Sequence, residues 1–147
     1  MNAENNPKAW IRIAEMDLSS AHFLFENHHP KPLDIVCFHT QQSAEKMLKC
    51  FLVVQNEGFP KIHDLQELCE LCAEINDRFN ELRSSIVILN RYSVIPRYPN
   101  ELQIEESDAI KALEHADIVM DFVKGILTAE ETDTDTGMDT EINIDTQ

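Results

Sequence analysis

The sequence has little glycine and no long apolar run, and both absences exclude whole classes of protein. Its three glycines among 147 residues argue against a phosphate-binding loop or a Rossmann turn, since both need glycine where the backbone approaches a phosphate. The longest apolar runs, IVCF at 35–38 and FLVV at 51–54, fall far below the roughly 20 residues that cross a bilayer. The N-terminal MNAENNPKAW lacks the apolar core of a signal peptide. We therefore expect a cytoplasmic protein with no membrane segment.

Basic residues are also scarce. The chain has 12 Lys and Arg against 27 Asp and Glu, a formal charge of −15. The segment 128–147 holds seven acids and no Lys or Arg, so 20 acids and 12 bases leave −8 on residues 1–127. A body with this charge repels a nucleic-acid backbone, so polyanion binding requires a local basic patch. Residues 78–99, with four arginines and one acid, are the candidate patch.

The four cysteines predict neither disulfides nor a metal site. Without a secretory signal, the reduced state is expected. Cys69 and Cys72 have C-x-x-C spacing, but no second C-x-x-C and no downstream H-x-x-x-H completes a tetrahedral site. Both also lie on the apolar face of a predicted helix, which favours packing in the core. We expect no metal and no cofactor.

Apolar side chains recur every three or four residues along most of the chain, which is typical of helices with one buried face. Pro30 and Gly58 lie in the breaks between the first segments. The predicted helices cover 8–28, 33–56, 64–75, 77–94 and 109–127. We predict an all-α protein, an up-and-down bundle of four to five helices over 8–127, followed by a disordered acidic tail over 128–147.

The second predicted helix contains FHTQQSAEKMLKCFL, residues 38–52, with an unusually polar face. His39, Gln42, Lys46 and Lys49 share one side of the helix, because they are spaced by three, four and three residues. Their imidazole, amide and ammonium groups could bind a phosphate or a base edge. They could also be a solvated helix face, or be paired with acids on a neighbouring helix, and the spacing alone leaves these alternatives open.

Two acidic residues are predicted to be structural. Asp17 lies on an apolar stripe of the first helix, where an unpaired carboxylate would be costly to bury. We expect it to pair with Lys46 or an arginine rather than to act in catalysis. Asp64, three residues before Glu67, has the spacing of a capping box and is expected to start the third helix.

The segment NRYSVIPRYPNE, residues 90–101, places two arginines and two tyrosines around a proline turn. Arg91 and Arg97 could hold a phosphate with two hydrogen bonds each, while Tyr92 and Tyr98 could stack on bases. The alternative is a rigid connector whose tyrosines pack and whose arginines bind acids of the bundle. Both interpretations remain open from the sequence.

Four blocks of residues resemble the HEPN domain family in order and spacing. They are A-x-x-D-L-x-x-A at 14–21, F-H-x-Q-Q-S-A-E-K-M-L-K at 38–49, H-D-L at 63–65 and R-Y-P at 97–99. The resemblance implies a helical bundle, commonly a homodimer, of a prokaryotic type often encoded beside a minimal nucleotidyltransferase. In such pairs, the HEPN protein is thought to bind nucleotide or substrate, or to act in a toxin-antitoxin system.

Many HEPN proteins are metal-independent ribonucleases that use an arginine followed, after about four to six residues, by a histidine. None of the five arginines here has a histidine at that spacing, so the family's proton-transfer group is missing from its usual place. We therefore predict a protein that is not an enzyme but a nucleotide- or substrate-binding partner of a minimal nucleotidyltransferase, possible ligands being nucleotide or RNA. The proposed ligand-binding residues are His39, Gln42, Lys46, Lys49, Arg91, Arg97 and Tyr98, and the structural polar residues are Asp17, His63 and Asp64.

Two alternatives stay open. One is a HEPN-type ribonuclease in which His39 or His63 replaces the missing histidine. The other is a purely structural dimeric module, in which the polar residues only hold the bundle and its dimer together.

Overall fold

A computed structural model describes residues 3–58, 60–94 and 103–133, and these residues fold into helices with no strand among them. Five α-helices are present: α1 (Pro7–Asn27), α2 (Leu33–Val54), α3 (Leu65–Ile75), α4 (Arg83–Asn90) and α5 (Glu106–Asp133). Two 3₁₀ segments, Ala3–Asn5 and Asp77–Leu82, precede α1 and α4. The predicted all-α bundle is confirmed. No helix in the described part of the chain is both long and apolar enough to cross a membrane.

Helix α2 is the centre of the bundle and packs against each of the other four α-helices. Its inner residues, among them Met47, Leu48 and Phe51, are fully buried. The Phe51 ring lies 4.5 Å from the Phe79 ring between centroids, and Phe79 lies 5.3 Å from Phe122 on α5. This aromatic row ties α2 to α5 through the 3₁₀ segment before α4, and burial of its apolar area is a major stabilising contribution.

Side-chain caps fix where two of the helices begin. Asn6 accepts a hydrogen bond from the Lys8 amide ahead of Pro7, the first residue of α1. Helix α3 begins after Asp64, as the sequence indicates, because Asp64 Oδ1 accepts from the amides of Gln66 and Glu67. Each cap satisfies backbone N–H groups that the first helical turn leaves without a partner.

The structure corrects two predicted boundaries. Instead of one helix over 77–94, the chain forms the 3₁₀ segment and then the shorter α4, because Asn76 Oδ1 accepts from the Arg78 amide and starts a tighter turn. Helix α5 continues through 128–133, which the sequence had assigned to the tail. Gln55 Nε2 donates to Glu130 Oε1 at 2.7 Å and holds this extension against the end of α2. The remainder of the predicted tail, 134–147, lies outside the described residues.

Candidate functional site

Small buried residues bring α1 and α2 together at the start of the polar network. Ala14 and Ala21 on α1 and Ala44 on α2 are almost fully buried, and Ser43 Oγ donates to the Ala14 carbonyl oxygen at 2.9 Å. Because small side chains permit close approach of two helices, Asp17 on α1 reaches the polar face of α2. The stripe that the sequence places on α2 therefore faces a carboxylate from α1.

Asp17 pairs with two residues of that stripe at once. Its Oδ1 lies 3.2 Å from His39 Nδ1, and its Oδ2 lies 3.4 Å from Lys46 Nζ. Lys46 Nζ also donates to Gln42 Oε1 at 2.8 Å. The Asp17 and Lys46 side chains are 17% and 20% exposed, and His39 is 30% exposed. The sequence predicted that Asp17 would pair with Lys46 or with an arginine, and in the structure it pairs with Lys46.

The fourth member of the stripe, Lys49, turns away from the other three. Its Nζ donates to Glu45 Oε2 at 2.9 Å, and the Lys49 and Glu45 side chains are only 4% and 5% exposed. His63, in the connection before α3, places Nδ1 at 3.0 Å from the same Glu45 oxygen while its ring stays 78% exposed. Lys49 therefore belongs to the interior of the bundle, and only His39, Gln42 and Lys46 stay together at the surface.

Glu45 is a site residue that the sequence reasoning missed. Burial alone would raise its pKa, but hydrogen bonds from His63 and Lys49 and their nearby charges outweigh burial and lower it. Gln42 Nε2 bonds both Gln41 Oε1 at 2.8 Å and Glu45 Oε1 at 3.4 Å, so one network runs from α1 to the α2–α3 connection. The Glu45-to-Lys49 spacing of four residues was the available signal.

The remaining described residues that the sequence singled out lie near the end of α4, and they differ in exposure and partners. Asp64 accepts from Asn90 Nδ2 at 3.2 Å besides capping α3. Arg91 is exposed, with its guanidinium carbon 5.2 Å from the centroid of the Tyr92 ring. Tyr92 is one of the two tyrosines that the sequence suggested for stacking on a base. Its side chain is only 2% exposed and forms a hydrogen bond with Cys37. The predicted stacking of a base on Tyr92 is therefore wrong, because the Tyr92 ring lies in the core. Burial there raises the pKa of Tyr92 to about 12.

The other two residues proposed from that segment, Arg97 and Tyr98, lie outside the described residues. Their role in binding a ligand therefore stays a prediction.

A shallow depression of about 510 Å³ opens beside His39, between α1 and α2. It is lined by Ser19, Ser20, Phe23, Leu24 and His39. The Phe23 side chain is 63% exposed, so its ring is accessible from the depression. The sequence reasoning missed Phe23, which lies off the apolar stripe of α1. An aromatic residue outside the buried face of a helix was the feature of the sequence that could have indicated this surface.

Metal chemistry finds no support in the described residues. No group of three or more His, Cys, Asp or Glu side chains there is arranged to hold a metal ion. All four cysteines are free and buried, and Cys72 Sγ packs 3.6 Å from the Leu48 carbonyl oxygen. The C-x-x-C spacing at Cys69 and Cys72 therefore results from two inward positions of one helix.

Comparison with known proteins points to one family. The family model described as HEPN domain matches residues 7–126. The crystal structure of TT1696 from Thermus thermophilus is similar with a TM-score of 0.67 and 23% identity, covering 82% of this chain and 98% of that one. The crystal structure of ST0689, an archaeal HEPN homologue, is similar with a TM-score of 0.62 and 24% identity, covering 82% and 96%. At these identities the two structures support the fold alone. No curated protein matches the sequence significantly.

Proposed function

This chain belongs to the HEPN domain family, and we propose that it is a non-catalytic nucleotide-binding partner of a minimal nucleotidyltransferase. One observation carries the ligand claim: Asp17 holds both His39 and Lys46, and His39 lines a depression that also contains the exposed Phe23 ring. A nucleotide carries both an anion and an aromatic base, and this surface offers hydrogen-bond donors and an exposed aromatic ring.

Phosphate binding is assigned to Lys46 and His39. Of the three N–H bonds of the Lys46 ammonium, one points to Asp17 and one to Gln42, so a third can donate to a phosphate oxygen. His39 uses Nδ1 for Asp17, and its Nε2 can face the ligand. Asp17 and Lys46 cancel in charge, and His39 Nε2 donates to a phosphate oxygen when both ring nitrogens carry a proton.

Base binding is assigned to the Phe23 ring. Stacking of a base on an aromatic side chain contributes about 1–3 kcal/mol and tolerates any base. The Ser19 hydroxyl donates to the Met16 carbonyl oxygen, which leaves its oxygen free to accept a hydrogen bond from a base or a ribose. The proposed ligand class is therefore a nucleotide without strong base preference.

The proposed ligand set differs in part from the set expected from sequence. Lys49 is omitted, since it is buried and bound to Glu45. Gln42 is retained as the residue that positions Lys46. Arg91 is exposed, and we keep it, together with Arg97 and Tyr98, as a proposed second anion-binding segment or a contact for the transferase.

Calorimetry with ATP, AMP, adenosine and pyrophosphate tests the ligand claim, on the protein alone and after co-purification with a nucleotidyltransferase encoded next to it. We expect His39→Asn and Lys46→Met each to weaken ATP binding by about tenfold or more, because each removes a hydrogen bond to a charged group. His22→Asn is the matched control, since His22 also pairs with an aspartate, Asp117, at 3.1 Å. Absence of binding in both settings, or an equal loss in the control, would refute the site.

The partner and the oligomeric state need their own measurements. We propose a homodimer that docks the transferase, which could form a toxin-antitoxin pair with it. Light scattering during size-exclusion chromatography distinguishes monomer, dimer and complex. A monomer that does not co-elute with the transferase would contradict both proposals while leaving the nucleotide claim standing.

One observation favours a second function. The Asp17 carboxylate orients the His39 ring through Nδ1, which is the arrangement that lets the other ring nitrogen act as a general base. A metal-independent ribonuclease could use it. Incubation of the protein with RNA in the presence of a chelator tests this function. Cleavage by the wild type that is lost in His39→Asn would support it, and RNA left intact by the wild type would exclude it.

The purely structural alternative makes a different prediction for Lys46. If the network only supports the bundle, Lys46→Ala lowers stability and leaves any nucleotide affinity unchanged. Loss of affinity at unchanged stability would exclude it.

A further inference from the structure

A second cleft lies between α3 and α4, and none of its lining residues belongs to the His39 network. It encloses about 150 Å³ and is lined by Gln66, Cys69, Glu70, Asn80, Arg83, Ile86 and Val87. The lining residues of α3 share one helical face, since they are three and four positions apart. Cys69 and Ile86 form a buried floor, and the charged and amide groups form the rim. An apolar floor with a few convergent polar groups is the usual form of a small-molecule site, and this volume suits a compact molecule.

The Arg83 guanidinium on this rim is held in place without a carboxylate. Its Nε and Nη2 donate to Asn80 Oδ1 at 3.1 and 2.7 Å. Asn80 is itself held, because its Nδ2 donates to the Asp77 carbonyl oxygen at 3.0 Å. Across the described part of the chain Arg83 forms no ion pair, although acids outnumber bases by more than two to one. A fixed guanidinium with remaining N–H groups is suited to bind an anion.

Glu70 supplies the opposite charge at the other edge of the same cleft. Among the residues that the structure describes, no ion pair joins Glu70 to Arg83, because Asn80 already holds the guanidinium. Both charges nevertheless act on the thiol between them: burial raises the pKa of Cys69, Arg83 lowers it and Glu70 raises it further. The cleft therefore presents a cation and an anion on either side of an apolar floor, unpaired with each other.

We propose that this cleft binds a small zwitterion of the amino-acid class with an apolar side chain. The ligand carboxylate binds Arg83, its ammonium group binds Glu70, and its side chain packs on Cys69, Ile86 and Val87. A simple anion is disfavoured by Glu70 and a simple amine by Arg83, so the arrangement selects molecules that carry both charges. This site is independent of the proposed nucleotide site.

Titrations followed by the amide shifts of isotope-labelled protein test the proposal, with leucine, 4-methylpentanoate and isoamylamine as probes. These three share a branched apolar chain and differ in carrying both charges, only the carboxylate or only the ammonium group. We expect leucine to give saturable shifts at the amides of the α3 and α4 residues that line the cleft. The other two probes should bind about tenfold more weakly or worse.

Two variants assign the charged contacts. Arg83→Gln should weaken leucine binding by about tenfold or more, and Glu70→Gln should do the same while leaving 4-methylpentanoate unchanged or tighter. Both residues are exposed, so the variants should fold. Arg78→Gln is the matched control, because Arg78 lies in the preceding 3₁₀ segment and pairs with Glu81 at 3.6 Å. No saturable shift with leucine, valine, isoleucine or phenylalanine, or an equal loss in the Arg78 variant, would overturn the proposal.

Discussion

Lys49 Nζ lies 2.9 Å from Glu45 Oε2, one turn away on the same helix, and both side chains are almost completely removed from solvent. Both charges have lost most of their hydration, so their pairing compensates part of the cost of burial. His63 Nδ1 lies 3.0 Å from the same oxygen and approaches it from the edge of the bundle. The pair thus joins the central helix to the connection that leads into α3.

Replacing Glu45 should therefore be strongly destabilising. Glu45→Ala removes the carboxylate that pairs with the buried Lys49 ammonium, and we expect the free energy of unfolding to fall by about 3–5 kcal/mol. Urea denaturation followed by circular dichroism measures it. Glu114→Ala, at an exposed position of α5, should change stability by no more than about 0.5 kcal/mol. A loss below about 1 kcal/mol for Glu45→Ala would show that the pair is hydrated.

Acid should remove the same contribution. The pKa of Glu45 in the folded protein lies below its ordinary value of 4.5, so the unfolded chain binds the proton more readily. The stabilisation is fully present above pH 4.5 and is lost as pH falls through the lower, folded-state pKa. Thermal unfolding midpoints of the wild type and Glu45→Gln, measured from neutral pH downward, should converge below pH 4.5. A constant difference between the two proteins would contradict a lowered pKa.

Helix α2 shows how far the sequence could predict the site. Its periodicity correctly grouped His39, Gln42 and Lys46, because side chains three and four residues apart lie on one face. It could not separate Lys49, since periodicity gives the direction of a side chain and not what covers it. The cover comes from the connection after α2, which brings His63 back to Glu45, and no local pattern encodes that return.

The same limit applies to α4 and to Phe23. Phe79, Leu82 and Ile86 have helical spacing in the sequence, yet the first two lie in a 3₁₀ segment because Asn76 starts a tighter turn. Phe23 was passed over because it lies off the buried stripe. The order and approximate extent of the helices followed from apolar period and caps, whereas contacts between distant segments required the structure.

Asp17 and Asp117 offer a comparison of two aspartates that each pair with a histidine. Asp17 is 17% exposed and shared with Lys46, whereas Asp117 is 48% exposed. Asp17→Asn should lower the free energy of unfolding by about 1–2 kcal/mol, because hydrogen bonds to a partly buried charge are lost. Asp117→Asn should lie within about 0.5 kcal/mol of wild type, since solvent screens exposed pairs. Chemical denaturation of both variants checks this, and equal effects would contradict the difference in burial.

The cysteines should be inert in the folded protein. Burial raises the pKa of Cys37 and of Cys50 to about 12, and it raises those of Cys69 and Cys72 as well. The reactive thiolate is therefore nearly absent near neutral pH, and burial leaves little of each thiol accessible to reagents. Ellman's reagent should label all four thiols in urea and react very slowly without it. Fast labelling of one native thiol would show that its helix opens locally.

Truncation at two positions should distinguish the end of α5 from the acidic segment after it. Removing 134–147 deletes a stretch with four acids, no base and few apolar residues, which is too poor in apolar groups to support a core. The thermal midpoint should stay within error.

Removing 128–147 also deletes Glu130, whose Oε1 accepts from Gln55 Nε2 at 2.7 Å. This cut should lower the midpoint by a few degrees, consistent with a loss of about 1 kcal/mol. Gln55→Ala in the full-length chain should reproduce part of that decrease. If both truncations leave the midpoint unchanged, the last turns of α5 contribute nothing to stability, and if both lower it equally, the segment after 133 packs against the bundle.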